Sequence, residues 1–547
     1  MENVLQFKVS GKIVDIVNKE IFKGHVVVEG SKIIDIIKDE SIEETNYIIP
    51  GFIDSHVHIE SSMLLPSDFA RLAVKHGVIG VVADPHEIAN VLGIEGIEFM
   101  IENSKKVPFK FAYAAPSCVP ATHFETSGSS ITSEDIDILM KMDSITHLGE
   151  VMNFPAVINK DPEILKMLAI AKKYGKPADG HAPMLTGDDL TNYINAGITT
   201  DHEATTFAEG EEKIKKGMKI LIRDGSAVSN LEELMPLLEL YPEMIMFCSD
   251  DKHPDDLSTF YINKIIKYAY TKGFDLFDTL RAASYNPIKH YNLNVGLLQV
   301  NDPADFIVIN NFDEVNVLDV YIEGAKVVND RNVLINKVTE TSFNNFNCSK
   351  ILPFDLKVKA LGSKIKVIEA FDNQLFTKSL ITEAKIVNDE AVVDLDKDLI
   401  KIVVYNRYFK DTKPSIGFIK NIGLKRGAFG STVAHDSHNI IVAGTNDDDI
   451  AKLINLIIDN KGGLGYVCDE DSTFLPLPYG GLMSNEDGVV IAEEYKSLNN
   501  AIIRAGGTLS APFMTLSFMA LLVIPELKIS DKSLFDVTQF KETSLFV

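Results

Sequence analysis

Between residues 48 and 250, short apolar runs alternate with helical stretches, and each unit takes about 30 residues. Two helical stretches are DPEILKMLAIAKKYG and NLEELMPLLELYP. The candidate strands are IIPGFIDSHVH, GVIGVVADPH, KFAYAAPSCV, ITHLGEVM, PADGHAP, GITTDHEA, MKILIRDGSA and MIMFCSD. Strands and helices that alternate in this way predict an α/β fold, here a (β/α)8 barrel of the TIM type.

Most of these candidate strands end in ionisable residues. Barrel strands carry chemistry at their carboxyl ends, where the following loops form the site, so this placement predicts one shared functional site. The residues at the strand ends are Asp54, His56 and His58; Asp84, His86 and Glu87; Glu150; His181; His202 and Glu203; Asp224; and Asp250.

His56 and His58 are two positions apart in a predicted strand, so both rings point to the same face. Two imidazoles on one face can ligate one metal ion. The alternative is a hydrogen-bonded pair of core histidines. His181 and His202 end successive strands one strand–helix unit apart, which places both at the same end of the predicted barrel.

Composition limits the class of partner. The formal net charge of −25 disfavours nucleic acid and anionic membrane surfaces, because both attract a basic face. The four cysteines form no CxxC pair and are expected to be free thiols in a reducing compartment. The first residues alternate like strands and lack the pattern of a signal peptide, and no apolar stretch has the length of a membrane span. These features predict a cytoplasmic protein.

The 547 residues are too many for one hydrophobic core. VVVEGSKIIDII predicts a hairpin with Gly30 and Ser31 at its turn. Strand-like segments return after the barrel in ADFIVINNF and VLDVYIEGAKVV. The expected domains are a small composite β domain (1–49 plus 291–338), the barrel (50–290) and a C-terminal α/β domain (339–547).

Several motifs resemble known sequences. PGFIDSHVH is similar to the first-strand signature of the amidohydrolase superfamily of metal-dependent hydrolases. Seven segments resemble, in order, those of the adenine deaminase family within it, and the resemblance runs from about residue 20 to the C-terminus. The segments are HVHIESSM, ADPHEIANVLG, HLGEVMN, DGHAP, AGITTDHEA, CSDDKHPDDL and VAHDSHNIIVAGTN.

The resemblance implies a binuclear centre of divalent metal ions. The first ion would be bound by His56, His58 and Asp250, with Asp251 as the alternative to Asp250. His181 and His202 would bind the second ion, together with Glu150. Glu150 would bridge the ions in place of the carboxylated lysine found in many amidohydrolases. Ligands without sulfur suit manganese, iron or zinc, and the family resemblance favours Mn²⁺ first.

The resemblance also implies the reaction, which is hydrolysis of adenine to hypoxanthine and ammonia. A metal-bound hydroxide would attack C6, and Asp250 would act as general base and then as general acid. Glu87 or Glu203 would protonate N1. The expected partners are adenine and water, with no nucleic acid and no membrane, and the expected assembly is a homo-oligomer, first of all a dimer.

Two groups of residues keep more than one interpretation. Asp84, His86 and Glu87 would contact substrate, donate a proton or bind an additional metal ion, or they would orient His56 and His58. His435 and His438 would take part in the site, or they would lie in a polar loop between strands.

The sequence is also compatible with two rival functions. A hydrolase of cyclic amides would use the same metal core, although such enzymes usually carry the lysine that Glu150 replaces. A non-catalytic metal-binding or scaffold protein on the same barrel would be expected to have lost ligands. The sequence has no GxSxG, P-loop or PCxxC motif, which disfavours serine hydrolases, P-loop NTPases and the zinc-dependent base deaminases.

Overall fold

The computed structural model describes residues 6–226, 228–372 and 374–547. The chain forms two compact units. The first unit runs to Pro85 and continues over Phe99–Ser117 and Thr132–Thr339. The second contains His86–Glu98, Cys118–Ile131 and Glu340–Val547.

The first part of the chain, up to residue 339, is built from short strands and helices. Its strands are β1 (Gln6–Asp15), β2 (Glu20–Glu29), β3 (Lys32–Lys38), β4 (Tyr47–Pro50), β5 (Phe52–His58), β6 (Val78–Ala83), β7 (Lys110–Ala115), β8 (Ile145–Val151), β9 (Ala178–Gly180), β10 (Thr200–Asp201), β11 (Lys219–Arg223), β12 (Ile245–Cys248), β13 (Asp250–Asp251), β14 (Phe306–Ile309), β15 (Val317–Ile322), β16 (Ala325–Asn329) and β17 (Asn332–Val333). Its helices are α1 (Pro66–Ala73), α2 (His86–Ser104), α3 (Ser133–Leu139), α4 (Phe154–Ile158), α5 (Pro162–Lys173), α6 (Gly187–Asn195), α7 (Phe207–Lys215), α8 (Leu231–Leu234), α9 (Leu237–Leu240), α10 (Pro254–Leu257), α11 (Ile262–Lys272), α12 (Leu276–Leu280) and α13 (Asn286–Tyr291). Short 3₁₀ turns lie at Ile59–Ser62, Val74–His76 and Pro242–Met244, and a π turn lies at Arg281–Tyr285.

The predicted barrel is confirmed. Strands β5 to β9 form a parallel sheet in chain order, and β10, β11 and β12 form a second parallel sheet. A parallel bridge between Ala178 and Ile198 connects the two sheets. β13, which follows β12, pairs in parallel with β5 and so closes the circle. All residues of β5 are buried, as expected for a parallel strand that is covered on both faces.

The predicted helical stretch NLEELMPLLELYP is confirmed as two helices of four residues, α8 and α9. Pro236 lies between them, and proline cannot donate the backbone hydrogen bond that a continuous helix requires.

The N-terminal strands share a sheet with those that follow the barrel. The order is β17-β16-β15-β14-β4-β1-β2-β3, and β14 pairs antiparallel with β4. The predicted hairpin is confirmed, because β2 and β3 pair around Gly30, whose φ is 60°. Ile13, Val26 and Phe306 form part of the buried core of this sheet. The three domain boundaries given above remain a prediction.

The second unit contains the chain from Glu340 onward. Its strands are β18 (Lys364–Glu369), β19 (Lys378–Glu383), β20 (Lys385–Val387), β21 (Glu390–Val392), β22 (Leu399–Tyr405), β23 (Ser415–Lys420), β24 (Ala428–Ser431), β25 (Ile440–Gly444), β26 (Gly463–Cys468), β27 (Asp471–Pro476), β28 (Leu527–Ile529), β29 (Leu534–Asp536) and β30 (Lys541–Thr543). Its further helices are α14 (Asp447–Asn460), α15 (Gly488–Arg504) and α16 (Pro512–Ser517), with 3₁₀ turns at Pro353–Leu356, Leu395–Lys397 and Phe518–Ala520.

Eight of these strands form one sheet, in the order β19-β18-β23-β22-β25-β24-β26-β27. Helix α14 packs on it through Ile450, Ile454 and Ile457, which share a core with Val403 and Val442. The predicted α/β character of this region is confirmed. Among the described residues, no helix is long and apolar enough to cross a membrane.

A buried ion pair holds the loops after β9 and β10. Lys213 in α7 is fully buried, and its ammonium group donates to Asp201 at 2.8 Å, to Glu209 at 2.7 Å and to the carbonyl of Ala182 at 2.8 Å. Asp201 in turn accepts hydrogen bonds from the backbone N–H groups of Ala182 and Ala204, both at 2.9 Å. The loops that carry His181 and His202 are therefore fixed to the same lysine.

Replacing Lys213 with methionine is expected to destabilise the protein by about 3–5 kcal/mol, because it leaves two buried carboxylates without their cation. The urea unfolding midpoint measures the effect. Lys215→Met is the matched control on the same helix, since Lys215 pairs with Glu211 at the surface. Equal midpoints for the two variants would contradict the role given to Lys213.

Candidate metal centre

Six side chains predicted as metal ligands meet at one end of the barrel. In the parallel sheets of the first unit, His56 and His58 lie near the end of β5, Glu150 lies near the end of β8, and Asp250 begins β13. His181 and His202 directly follow β9 and β10. The structure thus brings together residues that are up to 194 positions apart in the sequence.

The first group of donors contains His56, His58 and Asp250. The Nε2 atoms of the two histidines are 3.2 Å apart. Asp250 Oδ1 lies 3.1 Å from His58 Nε2 and 3.7 Å from His56 Nε2. These three donor atoms are close enough to one another to hold one metal ion.

The second group contains His181 and His202, and Glu150 lies between the two groups. Glu150 Oε2 is 2.7 Å from His181 Nδ1 and 3.2 Å from His202 Nε2. The other carboxylate oxygen, Oε1, is 3.4 Å from His58 Nε2. Glu150 therefore presents one oxygen to each group, which is the arrangement expected of a bridging ligand.

Asp84 holds two of these residues, His58 and Glu150, in position through hydrogen bonds. Its carbonyl oxygen lies 3.0 Å from His58 Nδ1, which directs Nε2 toward the other donors. Its Oδ2 accepts the backbone N–H of Glu150 at 2.8 Å. A Cβ atom at Gly149 would lie only 2.4 Å from the same oxygen, so this position requires glycine.

Asp250 and Asp251 lie in different surroundings. Asp250 lies at the cluster, whereas Asp251 Oδ1 accepts the hydroxyl of Ser61 at 2.5 Å. Asp54 accepts hydrogen bonds from Ser249 and from Tyr261, the latter at 2.6 Å. Burial raises the pKa of Asp54 to about 6, although these hydrogen bonds oppose the shift.

The electrostatics of the cluster favour a bound cation. Burial disfavours the charged ring of His58, yet its hydrogen bonds to Asp250 and Glu150 raise its pKa well above the usual value. Against the same effect of burial, Glu203 and Glu150 raise the pKa of His181 to about 9. Burial and the neighbouring His202 lower the pKa of His56. The carboxylates thus attract positive charge that a metal ion can supply in place of protons.

The donor set fits a divalent metal. His202 Nε2 is buried and forms no hydrogen bond within the described part of the chain. Buried polar atoms are rarely left without a partner, and this atom lies 3.2 Å from the Glu150 oxygen that His181 also approaches. Imidazole nitrogens and carboxylate oxygens without sulfur suit manganese, iron or zinc.

Comparison with known proteins agrees with this geometry. A model described as the amidohydrolase family matches residues 47–327, and one described as the adenine deaminase C-terminal domain matches residues 374–541. The chain is 52% identical over 533 residues to an adenine deaminase of Sulfurovum sp. (strain NBC37-1), covering 96% of this chain and 97% of that one. It is 47% identical over 546 residues to that of Methanosarcina barkeri (98% of each chain) and 45% identical over 542 residues to that of Salinibacter ruber (99% of each).

The chain belongs to the adenine deaminase family of amidohydrolases. Amidohydrolases act on C–N bonds with a divalent metal ion, and the clusters described above could hold one.

One candidate functional residue of this chain was not predicted from the sequence. Arg223, the last residue of β11, is buried, and its guanidinium donates to Glu203 and to Asp250. Asp224, the ionisable residue chosen at this strand end, instead pairs with Lys264 at 2.9 Å. The available signal was a charged residue at the carboxyl end of a short strand, KILIR, whose three central residues are apolar.

Four further predicted residues meet in the second unit. Glu87 Oε1 lies 2.7 Å from His435 Nδ1, and the other oxygen of Glu87 is hydrogen-bonded to His438 Nε2. His86 Nε2 lies 3.4 Å from Glu87 Oε1. His435 stacks on Phe518 with ring centroids 4.4 Å apart. The polar loop VAHDSHNI is therefore a buried cluster around Glu87.

The backbone fixes the tautomer of His438. The N–H of Ala434 donates to His438 Nδ1 at 3.2 Å, so Nε2 carries the proton that is donated to Glu87. Burial lowers the pKa of His438 to about 4, so the ring is neutral. Burial alone would raise the pKa of Glu87, but His435 and His438 hold it well below the usual value. Glu87 is thus a carboxylate that accepts hydrogen bonds within this cluster.

Glu150→Gln is expected to lower the metal content of the protein, because an amide oxygen bridges two cations poorly and the amide nitrogen cannot ligate. Metal analysis of the purified variant measures the stoichiometry. Asp224→Asn is the control, since it removes a strand-end carboxylate that pairs with Lys264. Full metal content in Glu150→Gln would refute the bridging role.

A second prediction concerns Glu125 in the second unit, which accepts hydrogen bonds from Thr122 Oγ1 at 3.0 Å and from Ser437 at 2.7 Å. Burial and the charge of Asp436 raise its pKa from 4.5 to about 8. The folded protein then binds more protons at Glu125 than the unfolded chain does, so this group's contribution to stability falls as the pH rises from 4.5 to 8.

Glu125→Gln removes this titration. Between pH 5 and pH 8, the free energy of unfolding of the variant is expected to rise by about 3 kcal/mol relative to that of the parent protein. Urea unfolding midpoints at several pH values measure the difference. A difference between the two proteins that does not change with pH would contradict the assignment.

Proposed function

We propose that this protein hydrolyses adenine to hypoxanthine and ammonia at the metal centre of its barrel, with adenine and water as substrates. The convergence of His56, His58, Glu150, His181, His202 and Asp250 carries the proposal. Family membership supports the choice of substrate, since relatives of nearly the same length are named adenine deaminase.

Two divalent ions complete the proposed centre. His56, His58 and Asp250 would hold the first, His181 and His202 would hold the second, and Glu150 would contact both. When bound, such ions lower the pKa of a coordinated water to about 7 and thereby supply a nucleophile at neutral pH. Mn²⁺ is proposed as the native ion, with Fe²⁺ and Zn²⁺ as the alternatives that the same donors accept.

Asp250 is the proposed base. Burial would raise its pKa, but the charge of Arg223 and the hydrogen bond with His58 hold it well below the usual range, so the carboxylate is ionised at neutral pH. In that form it accepts the proton of the attacking water and then delivers it to the amino group that leaves C6.

The ring nitrogen N1 must gain a proton as C6 becomes tetrahedral. The proposal assigns this step to Glu203, because the histidine cluster holds Glu87 as an ionised carboxylate. Glu203 Oε1 lies 3.5 Å from His202 Nε2, next to the second group of donors, whereas Glu87 lies in the histidine cluster of the second unit.

Location and assembly complete the proposal. The four cysteines are free thiols, which fits a reducing compartment such as the cytoplasm. We expect a homodimer.

The test is an adenine assay on protein loaded with manganese, followed by the change in absorbance as hypoxanthine forms. Asp250→Asn is expected to lower kcat by about 10³-fold, because the amide cannot accept the proton. Asp251→Asn is the matched control, since Asp251 accepts a hydrogen bond from Ser61 instead.

Folded protein with two bound ions that forms no hypoxanthine would overturn the assignment of adenine. Loss of activity in the Asp251 variant, with activity retained in the Asp250 variant, would overturn the choice of base.

A further inference from the structure

Arg223 has a firmly fixed main chain. Its N–H donates to Asn230 Oδ1 at 2.7 Å, and its carbonyl accepts the N–H of Asn230 at 3.1 Å. The side-chain amide of Asn230 donates in turn to the carbonyls of His202 and Ala204, at 3.2 and 3.1 Å. Arg223 is thus anchored to the loop that carries His202 and Glu203.

Its guanidinium joins two carboxylates through one nitrogen. Nη1 donates to Glu203 Oε1 and to Asp250 Oδ2. This differs from the two-pronged pairing in which an arginine binds both oxygens of a single carboxylate. A single donor between two acceptors fixes the position of one acidic side chain relative to the other.

The contact divides the two oxygens of Asp250 between different tasks. Oδ2 accepts from Arg223, while Oδ1 lies 3.1 Å from His58 Nε2. The terminal torsion of an aspartate has a broad energy profile, so one fixed oxygen is needed to set the other. Without Arg223, the plane of this carboxylate could turn about that torsion.

The same contact acts on Glu203. Its Oε1 is 3.5 Å from His202 Nε2 and 3.9 Å from His181 Nδ1, so this oxygen belongs to a set that could itself hold a metal ion. The guanidinium occupies that oxygen as a hydrogen-bond donor. A lone pair of this oxygen that accepts a hydrogen bond from Arg223 is less available to a metal ion.

A purely structural counter-ion is the competing explanation. Two buried carboxylates need compensating charge, and any cation could provide it. The contact requires a defined position as well as a positive charge, because one nitrogen must reach both carboxylates while Asn230 holds the backbone. Lysine has the charge, but its flexible stem does not hold the nitrogen in one place as the rigid, planar guanidinium does.

We propose that Arg223 is a positioning residue, which fixes Asp250 with Oδ1 toward His56 and His58 and restrains Glu203 from binding the second metal ion. The proposal rests on the function proposed above. It assigns Arg223 no contact with the substrate.

The experiment compares Arg223→Ala and Arg223→Lys with the parent protein, all loaded with Mn²⁺. Arg281→Ala is the control in the same unit, because Arg281 donates to the carbonyl of Ile16. Adenine turnover is measured with and without added guanidinium chloride at millimolar concentration, which does not unfold the protein. Mn²⁺ affinity is measured separately by competition with a chelator.

In Arg223→Ala, kcat is expected to fall about 100-fold, the cost of a misplaced catalytic group, while KM changes little. Added guanidinium is expected to raise kcat about tenfold in this variant. It is expected to leave kcat unchanged in Arg223→Lys and Arg281→Ala. Mn²⁺ affinity is expected to rise about tenfold in Arg223→Ala, because a nearby cation is lost and Glu203 is released. Guanidinium should reverse this rise.

Wild-type turnover in folded, loaded Arg223→Ala would overturn the proposal, as would a loss of turnover that guanidinium does not restore. If the parent protein itself fails to deaminate adenine, the proposed function fails, and the Mn²⁺ affinities alone decide on Arg223. Affinity that is unchanged or weaker in Arg223→Ala would then refute the restraint on Glu203.

Discussion

The site depends on the contacts that the carboxylate of Glu150 makes with both groups of donors. Its two oxygens face different groups of donors, with His58 on one side and His181 and His202 on the other. Its backbone N–H is bound by Asp84, and glycine at position 149 allows that approach. The end of β8 therefore places one acidic group where strands from both halves of the barrel converge.

Such a site is costly to fold. Burying charged groups is unfavourable unless each one finds a partner, and here many ionisable side chains share one end of a barrel. The protein meets this cost with paired charges that surround the donors. Arg223 pairs with Glu203 and Asp250, and Lys213 pairs with Asp201 and Glu209. A bound divalent ion would supply the remaining positive charge.

Much of the fold and of the donor set could be predicted from the sequence, because both depend on local patterns. The alternation of strands and helices predicted the barrel. In such a barrel, a histidine at the end of one parallel strand lies near the ends of the other strands, wherever they are in the sequence. His56, His58, His181 and His202 were found in this way.

The pairings between distant side chains could not be predicted. Nothing local marks Arg223 as the partner of Asp250 or links Glu87 to His435, 348 positions later.

The most direct test of the metal centre is anomalous X-ray scattering at the manganese edge from crystals of the manganese-loaded protein. The account predicts two peaks on either side of the Glu150 carboxylate, each about 2.0–2.3 Å from its nitrogen and oxygen ligands. One peak would lie by His56, His58 and Asp250, and the other by His181 and His202. A single peak, or peaks only at Glu87, His435 and His438, would contradict the account.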